Sequence, residues 1–467
     1  MQTSTGAVET FPLAPPQEHI WEHMRLLSPE NPGATFLNLT TAVRWEGPLD
    51  ANALDRALRG VVHLHPILRS VLTGYEWDCS QRPVAGTTVL TTVDLGGHST
   101  AEAERAASQL AMADDDKPFD LRTGPVTRAQ LVRLSPDDHV LLLAFPFVMT
   151  DGTSLITFFR QLHDFYRRIR EDNHAELPPS ELGYLGWARR QHAEAADPAR
   201  LQYWRRAIPD IPPPLDLRTD RPRASLKQFR YEVHDFELLP ALVAELDAMA
   251  LRRRSSMLAV MLSVYAAILF RRTGQSHLTI STLLNGRNDP GTAALVGYFP
   301  NVVFIDFTLS GTVLCSDLIA RTTGALRQAT RQQCSYHRLV EHLEPGRLSA
   351  GPCPPFAIGQ ASLTLGRARQ PKPPGPDLPY RLRSFGFDRG ELVSQEFSVG
   401  TDPLRQAIFQ RENPSFELNG GGGSGVVQYN SALFDRETIV KLTDDVHAAL
   451  AMVVREPDTR VDRLPGE

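Results

Sequence analysis

At 467 residues the chain is too long for one ordinary hydrophobic core, so two large lobes are expected. Apolar residues at 42% and charged residues at 22% match a globular composition and exclude the disordered, collagen-like and fibrous classes. The net charge of -5 comes without a lysine or arginine block, which argues against a sequence-independent grip on nucleic-acid phosphates. The four cysteines, Cys79, Cys315, Cys334 and Cys353, form no CxxC pair, so neither a zinc site nor a disulfide framework is read. With no apolar stretch of 18 residues and no basic head or apolar core in "MQTSTGAVETFPLAPPQ", neither a membrane span nor a secretion signal is expected, and the cytoplasm fits best.

In chain order, "PLAPPQEHIWEHMRLL" reads as a helix entered through prolines, with Ile20, Trp21, Met24 and Leu27 as its stripe. "TTAVRWEG" alternates as a strand, and "LDANALDRALRGVVHLHPILRSVL" is helical from an aspartate cap to a stop near Pro66. "VTRAQLVRLSPDDHVLLLAF" is two strands joined by a Ser-Pro-Asp-Asp turn. The stretch "LLLAFPFVMTDGTSL" then turns polar at Thr150-Asp151-Gly152. A helix with Leu155, Phe158, Phe159, Leu162 and Phe165 on one face follows. A turn between a strand's C-terminal end and a helix is where α/β sheets expose functional groups.

Residues 208–224, rich in proline and without a period, read as an extended connector. Beyond it come helices in "ALVAELDAMALRRRSSMLAVMLSVYAAILFRRTG" and strands in "HLTISTLLNGRN" and "VGYFPNVVFIDFTL". "NGGGGSG" reads as a hairpin loop between the strands "PSFEL" and "GVVQYNSALF".

Six strings in this order resemble the condensation domains of nonribosomal peptide synthetases, in the chloramphenicol acetyltransferase-like superfamily. They are "FPLAPPQEHIW", "LHPILRSVL", "YLGWARRQ", "LQYWRRAIPDIPPPLDLRTDRPR", "LVGYFPNVV" and "VVQYNSALFD". The resemblance implies an α/β fold of two acetyltransferase-like lobes in a V-shaped arrangement with a central tunnel. Their expected bounds are residues 1–207, the connector 208–224, and 225–467 with a latch. It also implies an acyl or peptidyl carrier protein and a small acyl substrate as partners, with no nucleic acid or membrane. No cofactor is expected to be bound; the carrier's phosphopantetheine, or coenzyme A, would enter as the substrate arm.

The family's HHxxxDG motif falls here on Pro146 and Phe147, with Asp151 and Gly152 kept. Phe147 stands where the family has its base, and a benzyl ring can neither accept nor hold a proton. A heterocyclising branch carries DxxxxDxxS instead; Asp151 and Ser154 match its last two positions and Pro146 fails its first. Thr150, Asp151, Gly152 and Ser154 are the candidate site residues around Phe147. By the resemblance Asp151 is a strut paired with Arg287 of "LLNGRND", and Gly152 answers to a positive φ or a close backbone approach. Pro146, Asn301, Ser362, Thr364 and Tyr429 are candidates for the tunnel wall. His19 and His23 are four apart without a third ligand, so no metal site is read. His337 and His342 are expected to face solvent, and His139, at a turn, and His163, on a helix, are remote alternatives for a base.

General base catalysis is worth about 10²- to 10⁴-fold, less than alignment in a tunnel can supply. The expectation is therefore a condensation-like enzyme acting on a carrier-bound thioester without the histidine. It would form an amide or carry out a non-standard cyclisation or rearrangement. The alternative is an inactive condensation-like module that recruits the carrier protein or tailoring enzymes.

Overall fold

The computed structural model describes residues 9–27, 34–35, 38–74, 80–84, 90–172, 182–208, 213–223, 230–343, 345, 361–366, 381–385, 413–419 and 423–466. It divides into two compact units. One holds residues 1–194, 286–300 and 370–392; the other holds 195–285, 301–369 and 393–467.

The first unit carries helices α1 (Pro15–Leu27), α2 (Ala51–Leu64), α3 (Thr100–Asp116), α4 (Gly152–Glu171) and most of α5 (Gly183–Ala195), with strands β1 (Asn38–Glu46), β2 (Leu90–Asp94), β3 (Arg128–Ser135) and β4 (Asp138–Pro146). Its five-stranded sheet runs in the order Arg381–Ser384, β1, β4, β3, β2. β4 is antiparallel to both neighbours, with Leu141 opposite Val43 on one side and Leu131 on the other. It is covered on both faces, which is why it reads as a continuous apolar run rather than an alternating one. α3 packs Ala103, Ala107 and Ala111 with Val132, Val140 and Leu142, and the α2 and α4 side holds Leu54, Leu58, Phe145 and Phe158.

The helix starts follow local chemistry. Asp50 caps α2 by accepting from the Asn52 and Ala53 N–H groups, each at 3.0 Å, and Pro66 follows its end. The prolines open α1, whose Ile20, Trp21 and Met24 are buried. In α4 the buried stripe is Phe158, Leu162, Phe165, Tyr166 and Ile169. Leu155 and Phe159, expected on that face, are only half-buried.

The second unit carries α6 (Pro198–Ala207), α7 (Pro240–Arg252), α8 (Met257–Thr273), α9 (Cys315–Arg331), α10 (Tyr336–Leu343) and α11 (Arg436–Arg455). Its strands are β5 (Tyr231–Glu237), β6 (His277–Leu284), β7 (Asn301–Thr308), β8 (Ala361–Gly366), β9 (Ser415–Asn419) and β10 (Ser424–Asn430). The sheet order is β5, β10, β9, β8, β6, β7, with β8 parallel to both its neighbours. β9 and β10 pair antiparallel, Leu418 opposite Gly425; residues 420–422 of the expected hairpin loop lie outside the described residues. α8, buried over Ala259–Leu269, is the centre of this core. Among the described residues no single helix is long and apolar enough to cross a membrane.

The sequence bounds 1–207 and 225–467 treat each lobe as contiguous, whereas the packing does not. Trp204 of α6 is buried in the second unit and donates to the Gln332 carbonyl at 2.7 Å. Residues 286–300 return to the first unit, where Val296, Tyr298 and Phe299 are buried. The strand expected over "VGYFPNVVFIDFTL" accordingly begins only at Asn301, just after Pro300, which has no N–H to give a ladder.

Candidate functional site

The central strand β4 ends at Pro146, and Phe147–Met149 form a single 3₁₀ turn before α4. Val148 and Met149 are fully buried, and the Val148 carbonyl accepts from Gln17 Nε2 at 3.0 Å. Gln17 and Gln81, both fully buried, bond each other at 3.1 Å, and the Ala14 N–H donates to Gln17 Oε1 at 3.0 Å. This pair of amides is a polar rivet that fixes where the turn sits, since buried amides left unbonded are costly.

Asp151 is the N-cap of α4 and only 4% exposed. Its Oδ1 accepts from the Ser154 N–H at 2.6 Å and from Arg287 Nη2 at 3.2 Å, and its Oδ2 accepts from the Phe299 N–H at 3.1 Å. The helix N-terminus adds its own field in favour of the carboxylate. Arg287 is bonded through both of its terminal nitrogens. Nη1 donates to the carbonyls of Thr292 at 2.7 Å and Leu295 at 3.0 Å, Nη2 also donates to Ser154 Oγ at 2.7 Å, and the guanidinium lies 3.8 Å over the Phe299 ring. Ser154, fully buried, donates to the Gly297 carbonyl at 2.6 Å and accepts from the Gly297 N–H at 3.0 Å. Three side chains thus bolt residues 287–299 onto the start of α4, and the Ser154 hydroxyl has no proton left to act with.

Two glycines that the sequence reading does not single out make this possible. Gly286 has φ +65°, and a Cβ there would lie 1.9 Å from the Phe299 carbonyl oxygen; at Gly297 one would lie 1.9 Å from the Tyr184 ring. Gly152 is different from expectation. It is the first helical residue of α4, its φ is not positive, and a Cβ would meet nothing within 4 Å. Neither the turn nor the packing requires glycine at that position.

Phe147 is half-buried, its ring centroid 5.4 Å from that of Tyr298. Burial, with the Asp151 charge added, pushes the Tyr298 phenol well above its ordinary range. Tyr184 donates to the Tyr298 carbonyl, and burial raises its phenol likewise. Neither tyrosine is a base at neutral pH. Thr150 is 1% exposed, and its hydroxyl has no hydrogen-bond partner among the described residues.

Three imidazoles of this unit lie outside the turn itself, and one of them, His65, is close enough to Arg287 to feel its charge. His65 Nε2 is 2.6 Å from Gln161 Oε1, and Gln161 Nε2 donates to the Ala294 carbonyl at 3.2 Å. Burial holds His65 below the usual imidazole range, hence neutral at pH 7. Its partner Gln161 is ten residues along α4, about 15 Å from Asp151 at 1.5 Å per residue. His163 is about 18 Å along the same helix by the same rise. His139 is not in a turn as expected: it lies buried at the far end of β4, about 26 Å from Phe147 by strand rise, opposite Trp45 and Arg133. His19 is buried on α1. The side chains of His23 and His337 lie outside the described residues, and His342, expected in solvent, is half-buried with Nε2 enclosed.

The remaining candidates divide between the units. Pro146 is buried at the end of β4, paired with Asn38. In the second unit Asn301 is buried at the start of β7 and its Nδ2 donates to Gln333 Oε1 at 3.2 Å. Tyr429 is buried in β10, its hydroxyl donating to Glu232 Oε2 at 2.9 Å, and burial with that carboxylate pushes the phenol up to about 12. Ser362 and Thr364 hold places in β8, opposite Ser415 and Glu417, with their side chains outside the described residues. No group of three metal-ligating side chains occurs among the described residues.

The family model "Condensation domain" matches residues 8–351. Phosphinothricin tripeptide synthetase PhsB of Streptomyces viridochromogenes is 32% identical over 460 residues, covering 98% of this chain and 37% of that protein. The dimodular nonribosomal peptide synthase of Bacillus subtilis is 27% identical over 465 residues, covering 98% of this chain and 18% of that protein. The chain therefore spans well under half the length of these relatives. Two solved structures share the fold. The complex of the X-domain and OxyB from teicoplanin biosynthesis has TM-score 0.75 at 22% identity, covering 99% of this chain and 97% of that one. The holo four-domain nonribosomal peptide synthetase AB3403 has TM-score 0.74 at 18% identity, covering 99% of this chain and 34% of that one.

Proposed function

The chain belongs to the condensation-domain family, and from that premise we propose that it holds and presents an acyl or peptidyl thioester on a carrier protein's phosphopantetheine arm without acid–base catalysis of its own. One observation carries this reading. Where the family's motif has its base, this chain has the Phe147 ring packed on Tyr298, and the polar groups of Asp151 and Ser154 are consumed in holding residues 287–299. A group that bonds the protein on every side is a strut, and a benzyl ring offers no lone pair. The X-domain, whose fold this chain shares, is seen in complex with OxyB, which supports recruitment as a use for such a scaffold. Coenzyme A would bring the same arm without the carrier.

A second reading rests on Thr150, whose buried hydroxyl has no partner among the described residues. Thr40, Thr282 and Ser335 carry buried hydroxyls in the same state, so what singles out Thr150 is its place in the turn between Phe147 and Asp151. Under this reading the site forms an amide by alignment alone. An α-amine of pKa near 8 is about a tenth neutral at pH 7, so it can attack a thioester once positioned.

Carrier protein loaded with acyl and aminoacyl chains, incubated with wild type and with Thr150→Val and followed by intact-protein mass spectrometry, separates the two. The first reading expects carrier binding with every chain unaltered. Turnover by wild type that drops in Thr150→Val establishes the second reading and overturns the first.

A further inference from the structure

The chain's negative net charge conceals one basic turn. α7 ends in the second unit at "LRRRSS", where Arg252, Arg253 and Arg254 are all exposed, and Leu251 beside them is 81% exposed, the highest of the exposed large apolar residues among those described. Three arginines fall short of a basic block by count, but the fold enlarges the cluster. Arg327 of α9 donates through Nη2 to the Arg254 carbonyl at 2.5 Å, Ser255 and Thr323 bond through their hydroxyls at 2.7 Å, and Arg331 follows one turn beyond Arg327 on the exposed side. Of these five guanidiniums only Arg253 has a carboxylate within 4.0 Å among the described residues, and that one, Asp458, is itself exposed.

The backbone at this place is held against its preference. Arg254 has φ +52°, and is the one non-glycine residue with positive φ among the described residues. The Ser255 N–H bonds the Ala250 carbonyl at 2.8 Å, so the turn is a helix C-terminal motif whose left-handed position ordinarily takes glycine. An arginine there costs stability that the chain's own contacts do not repay, since its side chain bonds nothing among the described residues.

We propose that Arg252, Arg254 and Arg331, with Leu251 at their edge, form a docking surface for an acidic protein, which under the function proposed above is the carrier protein; the inference rests on that reading. Arginine forks match carboxylates in pairs, and an apolar side chain within a charged rim is how protein interfaces are built. A nucleic acid fits less well, because the patch is one compact turn with no aromatic platform on a chain of negative net charge.

The test is binding of the holo carrier protein, by calorimetry at low and at physiological salt, to wild type, to Arg252→Glu/Arg254→Glu/Arg331→Glu, to Arg254→Gly and to the control Arg105→Glu on α3. The expected result is affinity that falls with salt, a loss of about tenfold or more in the triple variant, and no change in the control. Arg254→Gly should raise the thermal midpoint while binding a few-fold more weakly, a combination that a purely structural arginine would not give. Triple-variant binding equal to wild type overturns the docking surface and leaves the proposed function standing. Equal loss in the control, or tighter binding of duplex DNA than of carrier, also overturns the surface. Absence of carrier binding by wild type overturns both.

Discussion

The turn at residues 147–151 and the turn at 252–255 are both strand-or-helix junctions a few residues long, and they treat polar groups in opposite ways. At the first, Asp151 and Arg287 are buried and bonded several times over, beside the Phe147 ring packed on Tyr298. At the second, charges are exposed and largely unpaired on a backbone held at positive φ. Asp151, Ser154 and Arg287 thus hold the fold together at the first turn. Charged groups outside any such framework are kept at a cost to stability.

The sharpest way to break this contrast is to remove the carboxylate. Asp151→Ala leaves the Arg287 guanidinium buried with one partner missing and α4 uncapped. A loss of about 3–5 kcal/mol is expected from breaking a buried pair on one side. Urea denaturation read by tryptophan fluorescence checks it, and a loss below about 1 kcal/mol, the size of an exposed pair, would sink the claim that Asp151 is a strut. Arg170 and Asp50, 3.0 Å apart with side chains 55% and 37% exposed, provide the comparison: Arg170→Ala should cost about 0–1 kcal/mol.

Gly297→Ala comes next. Its Cβ would overlap the Tyr184 ring, so either the ring or residues 287–299 must shift, at about 1–3 kcal/mol. Ser154→Ala falls in the same range, about 1–3 kcal/mol, because the Gly297 N–H and one Arg287 bond are left unsatisfied in a buried place. The two should not add, since both loosen one segment; a double variant as damaging as the sum would show that the segment is not held as a unit.

How far the sequence anticipates these sites follows from the range of the forces involved. β4 and α4 are legible because a strand buried on both faces and a helix with one buried stripe write their periods locally. The Asp151–Arg287 pair joins residues 136 apart, so no local pattern announces it, and only the resemblance to a family points to Arg287. The glutamine pair at positions 17 and 81 and the crowding at Gly286 and Gly297 are invisible for the same reason, because each glycine is required by a ring or carbonyl that is distant or yet to be placed. Residues 286–300 show the limit most plainly: Val296, Tyr298 and Phe299 are as apolar as the strand that follows Pro300, and hydrophobicity alone does not say which core will take them.

Gly152 gives the smallest effect and the finest test, since motif and structure disagree about it. If glycine is kept at this position for a special backbone angle or for close packing, Gly152→Ala should damage the protein. The structure places it at the first helical position of α4, with no positive φ and open space where a Cβ would stand. Alanine there lowers the entropy of the unfolded chain and favours the helix, so the variant should be stabilised by about 0.4–1 kcal/mol. The Asp151 cap bonds through its side chain to the Ser154 N–H and is untouched by the change. Thermal and urea midpoints that rise slightly together would fix the glycine as dispensable to folding. A loss of about 1 kcal/mol or more, the size expected of a strained backbone position, would instead return Gly152 to the strut, and the boundary between the framework and the open end of the turn would have to move by one residue.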